Sequence, residues 1–331
     1  MMEHVQVVIL GGGPAGYTAA LYCARAGFRT VILEKLSAGG QMATTAQIDN
    51  YPGFDEGVDG FELGMKMQAQ AERFGAETYL EEVLSVDLTA VPKKIVTDSR
   101  ELTADAVILA TGASARKLGV PEEDSLVGRG VAYCATCDGM FYKGKTVAVI
   151  GGGNTAAADA LFLSRICEKV ILIHRRDTLR ADRVYLNPLQ SCDNLEFIWN
   201  STVDAILHDQ KVTGLRLRDK FSGELQEIAC DGVFVAVGQL PNTALFEGQL
   251  DLDHGYIAAD ETTRTSLPGV FAIGDVRTKA LRQVITAASD GAVASHFVEE
   301  YLASLEASIL PWMTDFMTAG FRGLFGGLKF V

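Results

Sequence analysis

No run of basic residues occurs in this 331-residue chain, whose formal charge is −13 from 29 Lys and Arg against 42 Asp and Glu. The counterion-releasing surface of a nucleic-acid binder is therefore missing. No basic segment with a cleavage site precedes the apolar residues at 5–10, so no secretory signal is expected and a cytoplasmic location follows. Cysteine is sparse: the six, at 23, 134, 137, 167, 192 and 230, are too scattered for a disulfide scaffold, and only 134 and 137 lie close together. Those thiols have no ligand-like companions, so no metal site is expected. What is abundant is glycine, 34 residues, in a chain long enough for two domains and with the 48% apolar and 21% charged content of a globular protein.

The glycines are concentrated where strands end. Residues 5–10 form an apolar, β-branched run that stops at Gly11; residues 14–26 carry apolar residues at helical spacing, and a second strand at 30–33 ends in Glu34. This is a β-α-β unit of about thirty residues. A shift of 140 positions repeats it, with a strand at 147–150, a turn at 151–156, a helix at 157–166 and a strand at 170–173. Buried-type strands at 107–112 and 233–238 close the two halves, a strand at 270–273 runs into Gly274-Asp275, and an amphipathic helix is expected over 283–301. The chain thus returns to its first domain after an inserted one, with 1–113 and 243–305 forming the outer domain and 114–242 the inner.

Gly11-Gly12-Gly13-Pro14-Ala15-Gly16 fits the dinucleotide-binding fingerprint in its required setting between strand and helix. Gly11 makes the tight turn, Gly13 admits a pyrophosphate to the backbone, Gly16 lets helix and strand pack, and Pro14 suits the first helical position. Glu34 is spaced to accept hydrogen bonds from a ribose diol. The second copy has Gly151, Gly153, Asn154, Thr155 and Ala156 in the loop, but His174, Arg175 and Arg176 replace the acid, with Arg180 one turn on. Guanidinium groups bind a 2′-phosphate that a carboxylate would repel, which points to NADPH there and FAD at the acid-marked site; the bland alternative is a solvated charge run.

Cys134-Ala135-Thr136-Cys137 could be a redox pair, half of a metal site or two buried small hydrophobes. Two electron carriers need a further acceptor, and thiols at this spacing can reach the bonding distance of about 2 Å. Asp138 next to Cys137 is suited to delivering a proton to a departing thiolate, or else to capping the following turn.

These features resemble the low-molecular-weight thioredoxin reductases of bacterial type, class II pyridine nucleotide-disulfide oxidoreductases, over residues 5–305. The shared motifs are G-G-G-P-A-G at 11–16, G-G-Q at 39–41, D-N-Y-P-G at 49–53, C-A-T-C-D at 134–138, G-G-G-N-T-A at 151–156, H-R-R-D-T-L-R at 174–180, and G-D-V with L-R-Q at 274–283. The resemblance implies an α/β fold with two Rossmann-like domains of three-layer ββα type, the FAD domain interrupted by the NADPH domain. It implies that Cys137 faces the flavin, Cys134 attacks a thioredoxin or thioredoxin-like partner, and Asp138 serves as acid and base. It places Lys35, Gly40, Gln41, Asn50, Thr111, Gly112, Gly274, Asp275, Arg282, Gln283 and Val284 at FAD, and it implies a homodimer whose domains swing between two states.

The chain departs from that pattern in its apolar, glycine-rich tail, residues 306–331. Met313, Met317, Phe321, Leu324 and Leu328 share a helical face, whereas Gly320, Gly323, Gly326 and Gly327 disfavour a helix. Pro311, Asp315 and Arg322 argue against a membrane span, leaving a packed arm, an interfacial anchor or a docking arm. A ferredoxin-linked reductase and a small-molecule dithiol oxidase would keep the flavin and the cysteines but leave the arginines unexplained, and a nucleotide-binding module without enzymatic activity would not need the cysteines.

Overall fold

The computed structural model describes residues 2–45 and 47–324. Its helices are α1 (Pro14–Arg25), α2 (Gly60–Arg73), α3 (Ala135–Asp138), α4 (Asn154–Ser164), α5 (Arg183–Gln190) and α6 (Val284–Leu324). The chain separates into two compact units, one of residues 1–45, 58–113 and 241–331, the other of 46–57 and 114–240.

In the first unit, strands Glu77–Leu80, Thr30–Glu34, Glu3–Leu10 and Glu101–Leu109 lie side by side and parallel. The last of these splits its partners. Residues near its start pair antiparallel with Lys93–Thr97, which continues into Val83–Asp87, while Val107 to Leu109 pair in parallel with Val270–Ala272. Alternation along the strands sends Val7, Ile9, Ile32 and Ile108 to a core shared with α1 and α6, and Val8, Leu10, Val31 and Val107 to a core on the opposite face with Leu88, Ile95 and Phe246.

The second unit repeats the plan. Strands Leu195–Ile198, Lys169–Ile173, Thr146–Gly151, Gly232–Ala236 and Val131–Ala132 form a parallel sheet. Val147, Val149 and Leu172 face the helix side with Ala156, Ala160 and Leu163 of α4; Ala148, Ile150 and Ile173 face the antiparallel meander of Ser201–His208, Val212–Asp219 and Leu225–Ala229. Both units are thus layered meander, sheet and helices, the α/β architecture expected from the sequence.

Two expectations change. Helix α4 begins at Asn154 rather than 157, because Gly153 ends the extended segment and the helix starts immediately after it, as α1 does after Gly13. The last helix does not stop near 301 but runs to Leu324, through Pro311 and across Gly320 and Gly323, so the glycines do not end it. Leu328, Gly326 and Gly327 lie outside the described residues. Among the described residues no helix is long and apolar enough to cross a membrane.

Helix α6 lies against α1 at Gly291, where any Cβ would collide with the Ala15 carbonyl oxygen and stand 2.7 Å from the Ala19 nitrogen. Gly291→Ala is expected to lower the stability of the folded chain by about 2 kcal/mol in urea unfolding. At an open helical site the same change would stabilise by about 1 kcal/mol, so the sign of the shift reports the contact.

Candidate active site

The first glycine loop is dictated by close backbone approach. Gly11 has φ +109° and a Cβ there would collide with the Ala110 carbonyl oxygen, while a Cβ at Gly16 would collide with Gly11 oxygen. Gly13, by contrast, faces open space, so the backbone there is approachable. Glu34 Oε2 accepts the Gly12 amide at 2.7 Å and Oε1 accepts the Leu36 amide at 3.1 Å, which fixes the carboxylate at the loop and leaves lone pairs over. Gly39 donates its amide to Gly12 oxygen at 2.8 Å, and a Cβ on Gly40 would lie 3.4 Å from the Gly13 Cα, so G-G-Q comes to the same loop with Gln41 exposed. Lys35 instead pairs with Glu82 at 2.7 Å on the surface.

The Gly274–Val276 turn reaches the same place from the far end of the sequence: a Cβ on Gly274, at φ +68°, would stand 3.1 Å from the Ala15 Cβ. Asp275 Oδ1 and Arg282 Nε are buried without a hydrogen-bond partner. Burial raises the Asp275 carboxyl above its ordinary value although Lys279 and Arg282 oppose it. The Arg282 guanidinium stacks over Tyr256 at 4.2 Å, and Gln283 Nε2 donates to Arg282 oxygen at 2.7 Å just before Val284 opens α6. Thr111 Oγ1 donates to Asn242 oxygen at 2.8 Å, and Gly112 takes φ +70°. Buried, unpaired polar atoms beside an open glycine backbone are what a polar ligand with hydroxyl and phosphate groups would satisfy, and FAD fits this donor and acceptor set. Asn50 alone of the expected FAD contacts belongs to the second unit.

The second loop repeats the first with one exchange. A Cβ on Gly151 would collide with Ala236 oxygen, Gly153 faces open space, and Ala156 is fully buried against the strand. Where Glu34 grips the first loop, the His174 ring covers Gly152, which has no room for a Cβ. His174 is buried, its Nε2 has no partner, and its ring is edge-on to Trp199, itself stacked on Phe197. Burial, then Arg180, Arg175 and Arg176, push its pKa down, so the ring is neutral near neutral pH. Those three arginines are exposed, and among the described residues none is held in an ion pair. The Arg180 amide donates to Gly152 oxygen at 2.7 Å, bringing that arginine to the loop. Such a cluster fits a phosphorylated ribose. The Asn154 side chain is committed elsewhere, donating to Asp182 Oδ2 at 2.7 Å and accepting the Asp182 amide at 2.8 Å, and Thr155 is exposed.

Cys134 and Cys137 are joined in a disulfide with Cα atoms 5.3 Å apart. The pair follows edge strand Val131–Ala132 and rests on α4, since a Cβ on Gly139 would be within 2.9 Å of Phe162 and 3.1 Å of Leu163. The Cys134 sulfur lies 3.4 Å from Thr136 Oγ1. Burial raises the Asp138 carboxyl to about 6, and it caps nothing: the turn that it precedes has no side-chain cap. The remaining buried thiols are pushed up by burial, Cys23 and Cys230 to about 12 and Cys167 to about 11. No group of metal-ligating side chains occurs among the described residues.

Two dinucleotide-type folds and a redox-capable thiol pair define a disulfide oxidoreductase. Residues 5–291 match the pyridine nucleotide-disulphide oxidoreductase family, to which the chain belongs. It is 50% identical over 313 residues to thioredoxin reductase of Streptomyces clavuligerus, covering 93% of this chain and 97% of that protein. It is 45% identical over 314 residues to a Pseudomonas fluorescens protein named glucosaminate ammonia-lyase, covering 92% and 98%. Among solved structures, thioredoxin reductase from Streptococcus pyogenes MGAS5005 superposes with a TM-score of 0.84 at 40% identity, over 92% of this chain and all of that one.

Sequence reasoning missed Asp159 on α4, whose carboxyl burial raises from 3.8 to about 7. An acid between alanines on an apolar helix was the available signal. Its folded form prefers the proton, so ionisation costs stability increasingly as pH rises from 3.8 through 7. Asp159→Asn is therefore expected to raise the melting temperature more at pH 8 than at pH 5 in thermal unfolding followed by circular dichroism.

Proposed function

We propose that this chain is an NADPH-dependent flavoprotein reductase that passes electrons through the Cys134–Cys137 disulfide to thioredoxin or a thioredoxin-like disulfide protein. The observation that carries the reading is the disulfide itself, in a chain with one acid-marked and one arginine-marked dinucleotide fold. Relatives with different printed names share the identity range, so the choice rests on this disulfide and not on the names.

Residues 1–113 and 243–305 are read as the FAD domain and 114–242 as the NADPH domain, in a cytoplasmic homodimer. Glu34 with the loop from Gly11 to Gly16 would hold the FAD ribose and pyrophosphate, Asp275 the ribityl chain, and Arg282 and Gln283 the flavin end. His174, Arg175, Arg176 and Arg180 would bind the 2′-phosphate of NADPH over the loop at 151–156. When bound, FAD supplies the two-electron carrier between nicotinamide and disulfide.

Two electrons and two protons convert the Cys134–Cys137 bond to two thiols. As thiolate, Cys134 attacks one sulfur of the partner's disulfide; that bond breaks, a mixed disulfide forms and the partner's other sulfur leaves as thiolate. Cys137 then attacks the Cys134 sulfur, the internal disulfide reforms, and the second partner thiolate departs. With its carboxyl raised to about 6, Asp138 keeps a protonated fraction near neutrality and delivers protons to leaving thiolates. Met140 and Phe141, each about half exposed directly after the site, offer a partner protein an apolar seat.

Purified protein supplied with NADPH, NADH or reduced ferredoxin tests the donor, with thioredoxin reduction as the readout. Activity with NADPH alone is expected, silence with NADPH rejects the reading, and activity with ferredoxin or rapid air reoxidation of a small dithiol selects a rival. Cys137→Ser should abolish thioredoxin reduction while NADPH still bleaches the flavin. Asp138→Asn is expected to slow turnover about a hundredfold. It should also remove the decline that wild type shows as pH rises through about 6, where the acid loses its proton.

A further inference from the structure

Asp290 is an acid in the second turn of the apolar helix α6, six per cent exposed, and it gathers four hydrogen bonds. Its Oδ2 accepts the Gly274 amide at 2.8 Å, Arg277 Nε at 2.9 Å and Lys279 Nζ at 2.9 Å, and its Oδ1 accepts Arg277 Nη2 at 2.8 Å. Arg277 is two per cent exposed and also donates to Thr278 oxygen at 2.9 Å; Lys279 Nζ donates further to Thr286 oxygen at 3.2 Å. Burial alone would raise the Asp290 carboxyl, yet the hydrogen bonds from Arg277 and Lys279 hold it below its ordinary value. It is therefore an anion held by three donors on Oδ2 and one on Oδ1.

Its neighbours in sequence and space complete the picture. Gly291, next along α6, is the point of contact with Ala15 and Ala19 of α1, so one helical turn touches the helix behind the first glycine loop and grips the Gly274 turn. Asp275, next after Gly274, is half-buried, with its Oδ1 buried and unpartnered although Lys279 lies near enough to act on it. A buried lysine beside two carboxylates pairs with whichever has the better geometry, and here that is Asp290.

We propose that Asp290 is a positioning residue of the flavin site: it anchors the Gly274 amide and holds Lys279 away from Asp275, so that Asp275 Oδ1 stays open to a ribityl hydroxyl. This rests on the flavin reading of that site. Without the Asp290 charge, Lys279 turns to Asp275 and occupies the oxygen that the ligand needs, while Asn at 290 still accepts the Gly274 amide.

The test is the rate at which full-length holoenzyme releases FAD on dilution, followed by the rise of free-flavin fluorescence. Asp290→Asn should release FAD about tenfold faster than wild type or more, the size expected for one charge-assisted hydrogen bond. The pair Asp290→Asn with Lys279→Met, which removes the competing cation, should return to within about threefold of wild type. A purely structural role would leave the pair as fast as the single variant, and that result, or an unchanged rate in Asp290→Asn, overturns the proposal. If Asp290→Asn does not fold, the charge-neutral pair carries the test alone, and release about tenfold faster than wild type overturns it. Wild-type protein that carries no FAD overturns the reading of the site itself and so separates the two failures.

Discussion

Everything in this molecule hangs on one steric constraint, used twice: a strand must end against the carbonyl of its neighbour with no side chain between them. Gly11 against Ala110 and Gly151 against Ala236 meet that constraint in the same way. Once it is met, the chain has no room to continue the strand and turns straight into a helix, whose first amides are left unpaired and facing outward. The two loops thus share the backbone geometry that suits an anion before any charged side chain is considered.

Charge then distinguishes what geometry made equal. In the first loop a carboxylate grips the backbone from below through Gly12; in the second an uncharged imidazole covers Gly152 and three unpaired guanidinium groups stand nearby. The exchange of Glu34 for His174 removes a negative charge and supplies bulk in its place. That allows arginines to gather at a loop whose twin would attract them inward and neutralise them.

Much of this was legible in the sequence because each motif is enforced by contacts a few residues away. The repeated strands, the glycine positions and the thiol pair fall where spacing placed them, to within a few residues. What escaped the sequence is long-range. Asp290 reads as one acid in a helix, and only folding shows it receiving Gly274, Arg277 and Lys279. Asp138 reads as a proton donor with a turn cap as the alternative, and only the fold shows that the turn after it has no side-chain cap. Asn50 travels with residues 46–57 into the second unit, which no local pattern announces. The helix past residue 301 defeated propensity for a related reason, since glycine disfavours a helix without forbidding it.

The buried thiols set a further condition. An oxidoreductase that trades disulfides for a living is exposed to its own chemistry, because any other reactive sulfur would divert electrons into a dead-end bond. Burial keeps Cys23, Cys167 and Cys230 protonated far above physiological pH, which silences them as nucleophiles. Electrons entering this chain therefore find no outlet at those three positions, which leaves the Cys134–Cys137 pair and the partly buried Cys192 as the sulfurs within reach of a partner.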